Sequence, residues 1–358
     1  MKKIAIIGTN GLPGRYGGWD QLLNHLTSTL RSEYEITVYT SSFNAVKGLK
    51  TFNGAKLRII PLKANGIQSI LYDGVSMIDA CYKSDIMLIL GTSGCVFLPF
   101  VKPFSKKIIL NPDGAEWKRG KWNSFVKSFL KLSEKLGVKF SDVVVSDNVK
   151  IQEYIKNEYS KDSELIEYGG DNAKAVVLRN ETAKKYNIEA KKYAFKVCRI
   201  EPENNIDLIL EAFKDAKLKL IIIGNWNFSQ YGMDLKKKYS QYENLMLLDP
   251  IYEQSILDEL RSNCGIYVHG HSVGGTNPSL VEAMNLELCC VVYNVDYNIE
   301  TTENEAIYFN DSNDLKGIIQ QFLNGEMNSE LVGKKLKSIA LRRYTWVDIV
   351  KKYEQLFV

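Results

Sequence analysis

The chain has 358 residues, 45% of them hydrophobic and 25% charged, the mix of an ordinary globular protein. That length exceeds one typical domain and suits two, each able to bury its own core. A formal net charge of +4 is too small to direct the chain to nucleic acid, and three histidines leave no room for a histidine-rich metal centre.

The opening Met1-Lys2-Lys3-Ile4-Ala5-Ile6-Ile7-Gly8 is broken by glycine too early for a signal peptide and reads as a strand over 3–8. Further strands are predicted at 35–40, 56–61, 86–91, 107–110 and 142–146 in the first half. The second half has them at 193–199, 219–224, 245–248, 265–269, 289–293 and 306–309. Each is followed by turn residues and a helical stretch. Runs such as Leu220-Ile221-Ile222-Ile223 are apolar without alternation, the pattern of strands buried on both faces of a parallel sheet. The strand–helix alternation occurs twice. The expected fold class is therefore α/β, with two Rossmann-like domains facing across a cleft. The first is expected at 1–171 and the second at 172–340. A helix at 341–358 presents Trp346, Ile349, Val350, Tyr353 and Phe357 on one face and is expected to cross back to the first domain.

The uncharged run 86–101 is 16 residues long and holds two glycines and a proline. It falls short of the roughly 20 apolar residues of a spanning helix. The six cysteines (Cys81, Cys95, Cys198, Cys264, Cys289, Cys290) form no Cys-x-x-Cys pair and sit in apolar surroundings. Free thiols in a reducing compartment explain that usage. The expectation is a cytoplasmic protein, with any membrane contact peripheral at the inner face of the plasma membrane.

In open parallel sheets, ligands bind beyond the carboxyl ends of the strands, so the loops after strands carry the candidate chemistry. The loop 8–18 has five glycines in eleven residues and leads into a helix. Its amides, with Gly17 and Gly18 nearest the helix and Arg15 as a cation, suit an anion such as a diphosphate. The glycine spacing also matches a dinucleotide loop. However, the second strand ends Tyr39-Thr40-Ser41-Ser42, with no acid for a ribose, and no Tyr-x-x-x-Lys pair occurs, so a dehydrogenase is disfavoured.

The stretch Asn111-Pro112-Asp113-Gly114-Ala115-Glu116-Trp117-Lys118-Arg119 follows an apolar strand and offers carboxylates, an indole face and cations to sugar hydroxyls and rings. A capping Asp and structural tryptophan anchors remain the alternative. From 118 to 139 the chain is basic, with Lys127, Lys131, Lys135 and Lys139 spaced by four and Glu134 the one acid. That is a basic amphipathic helix suited to an anionic membrane, or to a solvated face.

In the second half, Arg199 at a strand end can neutralise a departing diphosphate, or pair with Glu201 or Glu203. After the strand at 265–269, His271 leads into Gly274-Gly275-Thr276-Asn277-Pro278-Ser279 at a helix start. Gly275, Thr276, Asn277 and Ser279 suit phosphate. Glu282, inside that helix, can accept hydrogen bonds from two vicinal ribose hydroxyls. No Asp-x-Asp motif or zinc spacing occurs, so no metal and no cofactor are expected.

These residues resemble a known family. The stretch 199–213 and Gly275-Thr276-Asn277-Pro278-Ser279-Leu280-Val281-Glu282-Ala283-Met284 look like the donor site of family-4 retaining glycosyltransferases of GT-B fold. Tyr16-Gly17-Gly18-Trp19-Asp20 and Asp113-Gly114-Ala115-Glu116-Trp117-Lys118-Arg119 resemble a bacterial subgroup of rhamnosyltransferases that build capsule and cell-wall polysaccharide. The family's Glu-x7-Glu is reduced here, with Gly274 eight before Glu282, and Asn205 replaces its usual lysine.

The resemblance implies retention of configuration without metal. It implies a nucleotide-diphosphate sugar donor, dTDP-L-rhamnose first, and a lipid-diphosphate-linked saccharide acceptor. It assigns Arg199 and Asp113 catalytic roles and Glu282 the ribose. The diphosphate falls to Gly17, Gly18, Arg15, Gly275, Thr276, Asn277 and Ser279. Glu116, Trp117, Arg119 and His271 are expected sugar or acceptor contacts. Another nucleotide sugar such as a UDP-sugar, a GT-B sugar-nucleotide epimerase and a non-catalytic sugar-nucleotide binder remain open.

Overall fold

A computed structural model describes residues 1–14, 17–118 and 122–358. The chain divides into two compact units, one of Met1–Tyr168 with Trp346–Val358 and one of Gly169–Thr345.

The first unit runs β1 (Lys2–Ile7), α1 (Gly18–Leu30), β2 (Tyr34–Ser41), β3 (Thr51–Phe52), β4 (Ala55–Ile60), α2 (Gln68–Cys81), β5 (Ile86–Leu90), α3 (Leu98–Val101), β6 (Lys107–Asn111), α4 (Ser124–Phe140), β7 (Val143–Ser146), α5 (Val149–Tyr159) and β8 (Glu164–Leu165). The second runs α6 (Asn180–Tyr186), β9 (Tyr193–Val197), α7 (Ile206–Phe213), β10 (Lys219–Ile223), α8 (Gln230–Tyr239), β11 (Leu245–Leu248), α9 (Gln254–Ser262), β12 (Ile266–His269), α10 (Pro278–Asn285), β13 (Cys289–Tyr293), α11 (Asp296–Thr301), β14 (Ile307–Phe309), α12 (Ser312–Leu323) and α13 (Ser329–Arg343). The last helix, α14 (Trp346–Leu356), returns to the first unit.

The sheet orders are β3-β4-β2-β1-β5-β6-β7-β8 and β11-β10-β9-β12-β13-β14. Apart from the β3–β4 pair, neighbouring strands are parallel. Both units are Rossmann-like. The order reverses between β1 and β5 in one and between β9 and β12 in the other.

The continuous apolar strands feed a core on each face. In β10, Ile221 and Ile223 join one cluster while Leu220 and Ile222 join the other. In the first unit Ile4, Ile6, Ile86, Leu88 and Leu90 pack with α1 and α14. The opposite face is covered by α2, α3 and α4. There Tyr72 of α2 donates its hydroxyl to the carbonyls of Thr9 and Tyr39 at 2.9 and 2.8 Å, and Gly137 of α4 lies so close to Leu110 that a Cβ would sit 2.9 Å from its methyl.

The structure moves one boundary and adds two strands. The helix expected from 341 starts at Trp346, because Tyr344 leaves helical geometry (φ −120°, ψ 50°) and closes α13. Thr345 followed by Asp348 is the sequence pattern of a new helix start. Trp346 then stacks on His25 of α1, with centroids 4.2 Å apart. Strands β3 and β8 were not expected. Asn53 and Gly54, both at positive φ (48° and 82°), turn β3 back onto β4 as a two-residue hairpin.

Candidate functional site

Each unit has its strand-order reversal beside a glycine-rich loop. In the first unit the loop after β1 lies against β5: at Gly8 (φ 97°) a Cβ would sit 2.0 Å from the Leu90 carbonyl oxygen. Gly17 is different. It has open space around it but a φ of 121°, so backbone conformation rather than packing demands glycine. Gly17 caps α1 with no side-chain hydrogen bond, so the first amides of the helix, starting at Gly18, get no partner from the cap side chain or from the helix itself. Arg15 and Arg119 lie outside the described residues.

Asp113, two residues past the end of β6, has a left-handed backbone (φ 61°), a strained position for a non-glycine residue. Its N–H donates to Asn111 Oδ1 at 3.1 Å, and Asn111 Nδ2 donates to the Tyr353 hydroxyl at 3.1 Å. Asp113 and the buried Asp147 both bear on the buried Tyr168, whose phenol is pushed far up, first by burial and then by those two charges. Asp147 was missed from sequence, although Ser146-Asp147-Asn148 directly follows a strand.

Glu116 and Trp117 sit in a short 3-10 turn. Glu116 Oε1 accepts from Trp122 Nε1 at 3.2 Å, and Trp117 Nε1 donates to the Tyr154 hydroxyl at 2.9 Å. The Lys131 and Lys118 ammonium groups lie 4.7 and 5.5 Å from the Trp117 ring centroid. Tyr154 and Tyr159 both donate to Glu134, whose carboxyl is pushed up by burial. The geometry ties this turn to α4 and α5.

In the second unit the two switch-point loops are stitched together. Asn205 Nδ2 donates to the Gly270 carbonyl at 2.9 Å, and Ser272 N donates to the Glu203 carbonyl at 2.9 Å. His271 Nδ1 meets Asn204 Oδ1 at 2.9 Å, so the imidazole is fixed between the loops. Arg199 is half-exposed, with Nε 3.7 Å from the Glu201 carboxylate. The N-terminus of α10 is built by Asn277, whose Oδ1 accepts from Ser279 N at 3.0 Å and Ser279 Oγ at 2.8 Å. Thr276 is buried and Gly275 half-buried beside it.

Glu282 is buried one turn into α10. One carboxylate oxygen accepts from Asn172 Nδ2 at 2.7 Å and the other from Arg261 of α9, which also pairs with Asp258 at 3.2 Å. Neither Arg261 nor Asn172 was picked out from sequence, since an arginine inside α9 reads as surface. Lys196 was missed too. It is a fully buried lysine near the end of β9, its ammonium pushed down by burial, and the buried His269 imidazole is pushed down too, first by burial and then by the Lys196 charge.

Residues 179–338 match the family described as "Glycosyl transferases group 1". Residues 1–171 match the "Domain of unknown function (DUF1972)". No curated protein matches the chain.

Among solved structures, sucrose-phosphate synthase from Thermosynechococcus elongatus is similar over 100% of this chain and 98% of its own, at TM-score 0.83 and 15% identity. The Anabaena protein HepE in complex with UDP-glucose is similar over 99% of both chains, at TM-score 0.78 and 13% identity. TarM is similar over 100% of this chain and 99% of its own, at TM-score 0.70 and 13% identity. At such identities the likeness is one of fold, and that fold is GT-B.

Proposed function

We infer that the chain transfers a sugar, with retention of configuration and without a metal, from a nucleotide-diphosphate sugar to a lipid-diphosphate-linked saccharide in bacterial surface polysaccharide synthesis. One observation carries the reading. The group 1 match covers the unit in which a switch-point loop opens a capped helix and leads to a buried glutamate.

In this reading Gly275, Thr276, Asn277 and Ser279 hold the diphosphate and Glu282 the ribose. Arg199 neutralises charge as it develops on the leaving group, the interaction with most effect on rate. His271 is placed for the donor sugar. On the first unit, Gly17, Gly18 and Arg15 are anion contacts, Asp113 orients hydroxyls, and Glu116, Trp117 and Arg119 serve the acceptor. The segment 118–139 makes peripheral contact with an anionic membrane on the cytoplasmic side.

The donor of first choice is dTDP-L-rhamnose. A UDP-sugar is the second reading, favoured by the UDP-glucose in the HepE complex. The test is release of nucleoside diphosphate from each donor, with and without a lipid-linked saccharide and in the presence of a chelator. Acceptor-dependent release is expected. Turnover without acceptor would make the protein an epimerase, and binding without turnover a non-catalytic binder.

A further inference from the structure

Helix α2 shows water the wrong side chains. Its inner face buries Tyr72, Ser76, Met77 and Ala80. Its outer face carries Leu71, Val75 and Ile78, continued by Ile67 before the helix and Tyr82 after it. The spacing of four, four, three and four makes one stripe, and these side chains are between 45 and 88% exposed. From 64 to 82 the only charged residues are Asp73, which is buried, and Asp79, which is taken up by Tyr39, Arg58 and Lys83. A solvated helix normally reverses this pattern, with charge outward.

The stripe does not end with α2. The Tyr82 ring packs 5.6 Å from Phe104, just beyond α3. Phe100 and Phe104, and then Phe125 and Leu132 on α4, are each more than half exposed. Helices α2, α3 and α4 pack side by side on the sheet face opposite α1 and α14. Their outward side chains therefore leave the sheet in the same direction.

The surroundings are cationic. Lys102 and Lys106 flank Phe104, and α4 adds Lys127, Lys131, Lys135 and Lys139 against one acid, the buried Glu134. Lys102, Lys106 and Lys131 pair with Asp142, Asp85 and Glu158, whereas Lys127, Lys135 and Lys139 make no ion pair with any described residue.

We propose that this face of the first unit is a monotopic membrane-docking surface: the α2 stripe and Phe100, Phe104 and Phe125 enter the acyl boundary, and the lysines meet anionic headgroups. An apolar surface ringed by lysine fits a bilayer better than a protein partner, since interfaces between proteins are depleted in lysine. No described helix is long and apolar enough to cross a membrane. The proposal deepens the membrane contact inferred above for 118–139 by adding an apolar component from α2 and α3. It stands independently of the sugar chemistry.

The test is co-sedimentation of the full chain with vesicles of phosphatidylcholine alone, or with about one third phosphatidylglycerol. Sedimentation with the anionic vesicles is expected. Leu71→Gln/Ile78→Gln, at exposed positions, should weaken it about tenfold or more at unchanged melting temperature. Lys135→Glu/Lys139→Glu should weaken it too. A fluorophore on Val75→Cys should shift to the blue on anionic vesicles, a readout that does not depend on how the glutamine variant folds.

No binding by the wild type, or full binding by the glutamine variant with no blue shift, overturns the proposal. So does a lipid-free dimer in light scattering that the glutamine substitutions dissolve, because a second copy would then be the occupant. Donor binding measured on the same samples separates this failure from failure of the transferase reading.

Discussion

Arg261 and Glu282 meet as a buried ion pair in which Asn172 holds the second carboxylate oxygen at 2.7 Å. The carboxylate is thus aimed before any ligand arrives. Removing it leaves a guanidinium that is buried and, among the described residues, keeps Asp258 as its one ion-pair partner. Glu282→Ala should therefore lose about 3 kcal/mol of stability, and its donor affinity alone would be ambiguous. Glu282→Gln should lose about 1 kcal/mol and weaken donor binding about tenfold. Melting curves with and without donor separate the two effects.

Asp113 occupies a left-handed backbone position that asparagine also tolerates. Asp113→Asn should fold and melt like the wild type. If the carboxylate orients a reacting hydroxyl, turnover should drop about 100-fold with donor affinity little changed. Steady-state kinetics with saturating donor is the measurement. Unchanged turnover would remove Asp113 from the chemistry.

Gly17 has room for a methyl group but the wrong φ for one. Gly17→Ala should cost about 1–3 kcal/mol through backbone strain alone. Because the residue caps α1, the substitution should also disturb the first turn of the helix. Hydrogen exchange at Gln21, whose N–H donates to the Gly17 carbonyl at 3.2 Å, would report this directly, faster than in the wild type.

Asp73 lies on the buried face of α2, and burial raises its pKa to about 8 although the Gly94 N–H donates to it. The folded chain therefore holds this proton while the unfolded chain releases it near the ordinary carboxyl value. Stability from this group falls as pH climbs from about 4 to about 8 and is level above that. Asp73→Asn should remove this slope and stabilise the protein at pH 9 by on the order of 1–3 kcal/mol. The gain should disappear towards pH 4. Urea unfolding across that range checks both ends.

The strands were legible because buried parallel strands write themselves as unbroken apolar runs, as in Leu220-Ile221-Ile222-Ile223. Strand β3 escaped because two residues carry no period, although Asn53-Gly54 announced its turn. The motif containing Glu282 stood out by its glycines, but Arg261 did not, since burial of a charge is settled by tertiary packing. Helix α2 shows the same limit from the other side. Leu71, Tyr72, Val75, Met77 and Ile78 read alike in sequence, and only the fold tells which of them face the sheet and which face outward.

The central claim is that the second unit, over the residues 179–338 that match the group 1 family, holds a nucleotide-diphosphate sugar. A thermal-shift series against dTDP-, UDP-, GDP- and ADP-sugars and NAD tests it most directly. A ligand at a 100-fold excess over its dissociation constant adds about 2.7 kcal/mol to stability. The account predicts a clear upward shift with dTDP- or UDP-sugars, reduced in Glu282→Gln, and none with NAD. A shift with NAD alone, or with no nucleotide sugar, would contradict it.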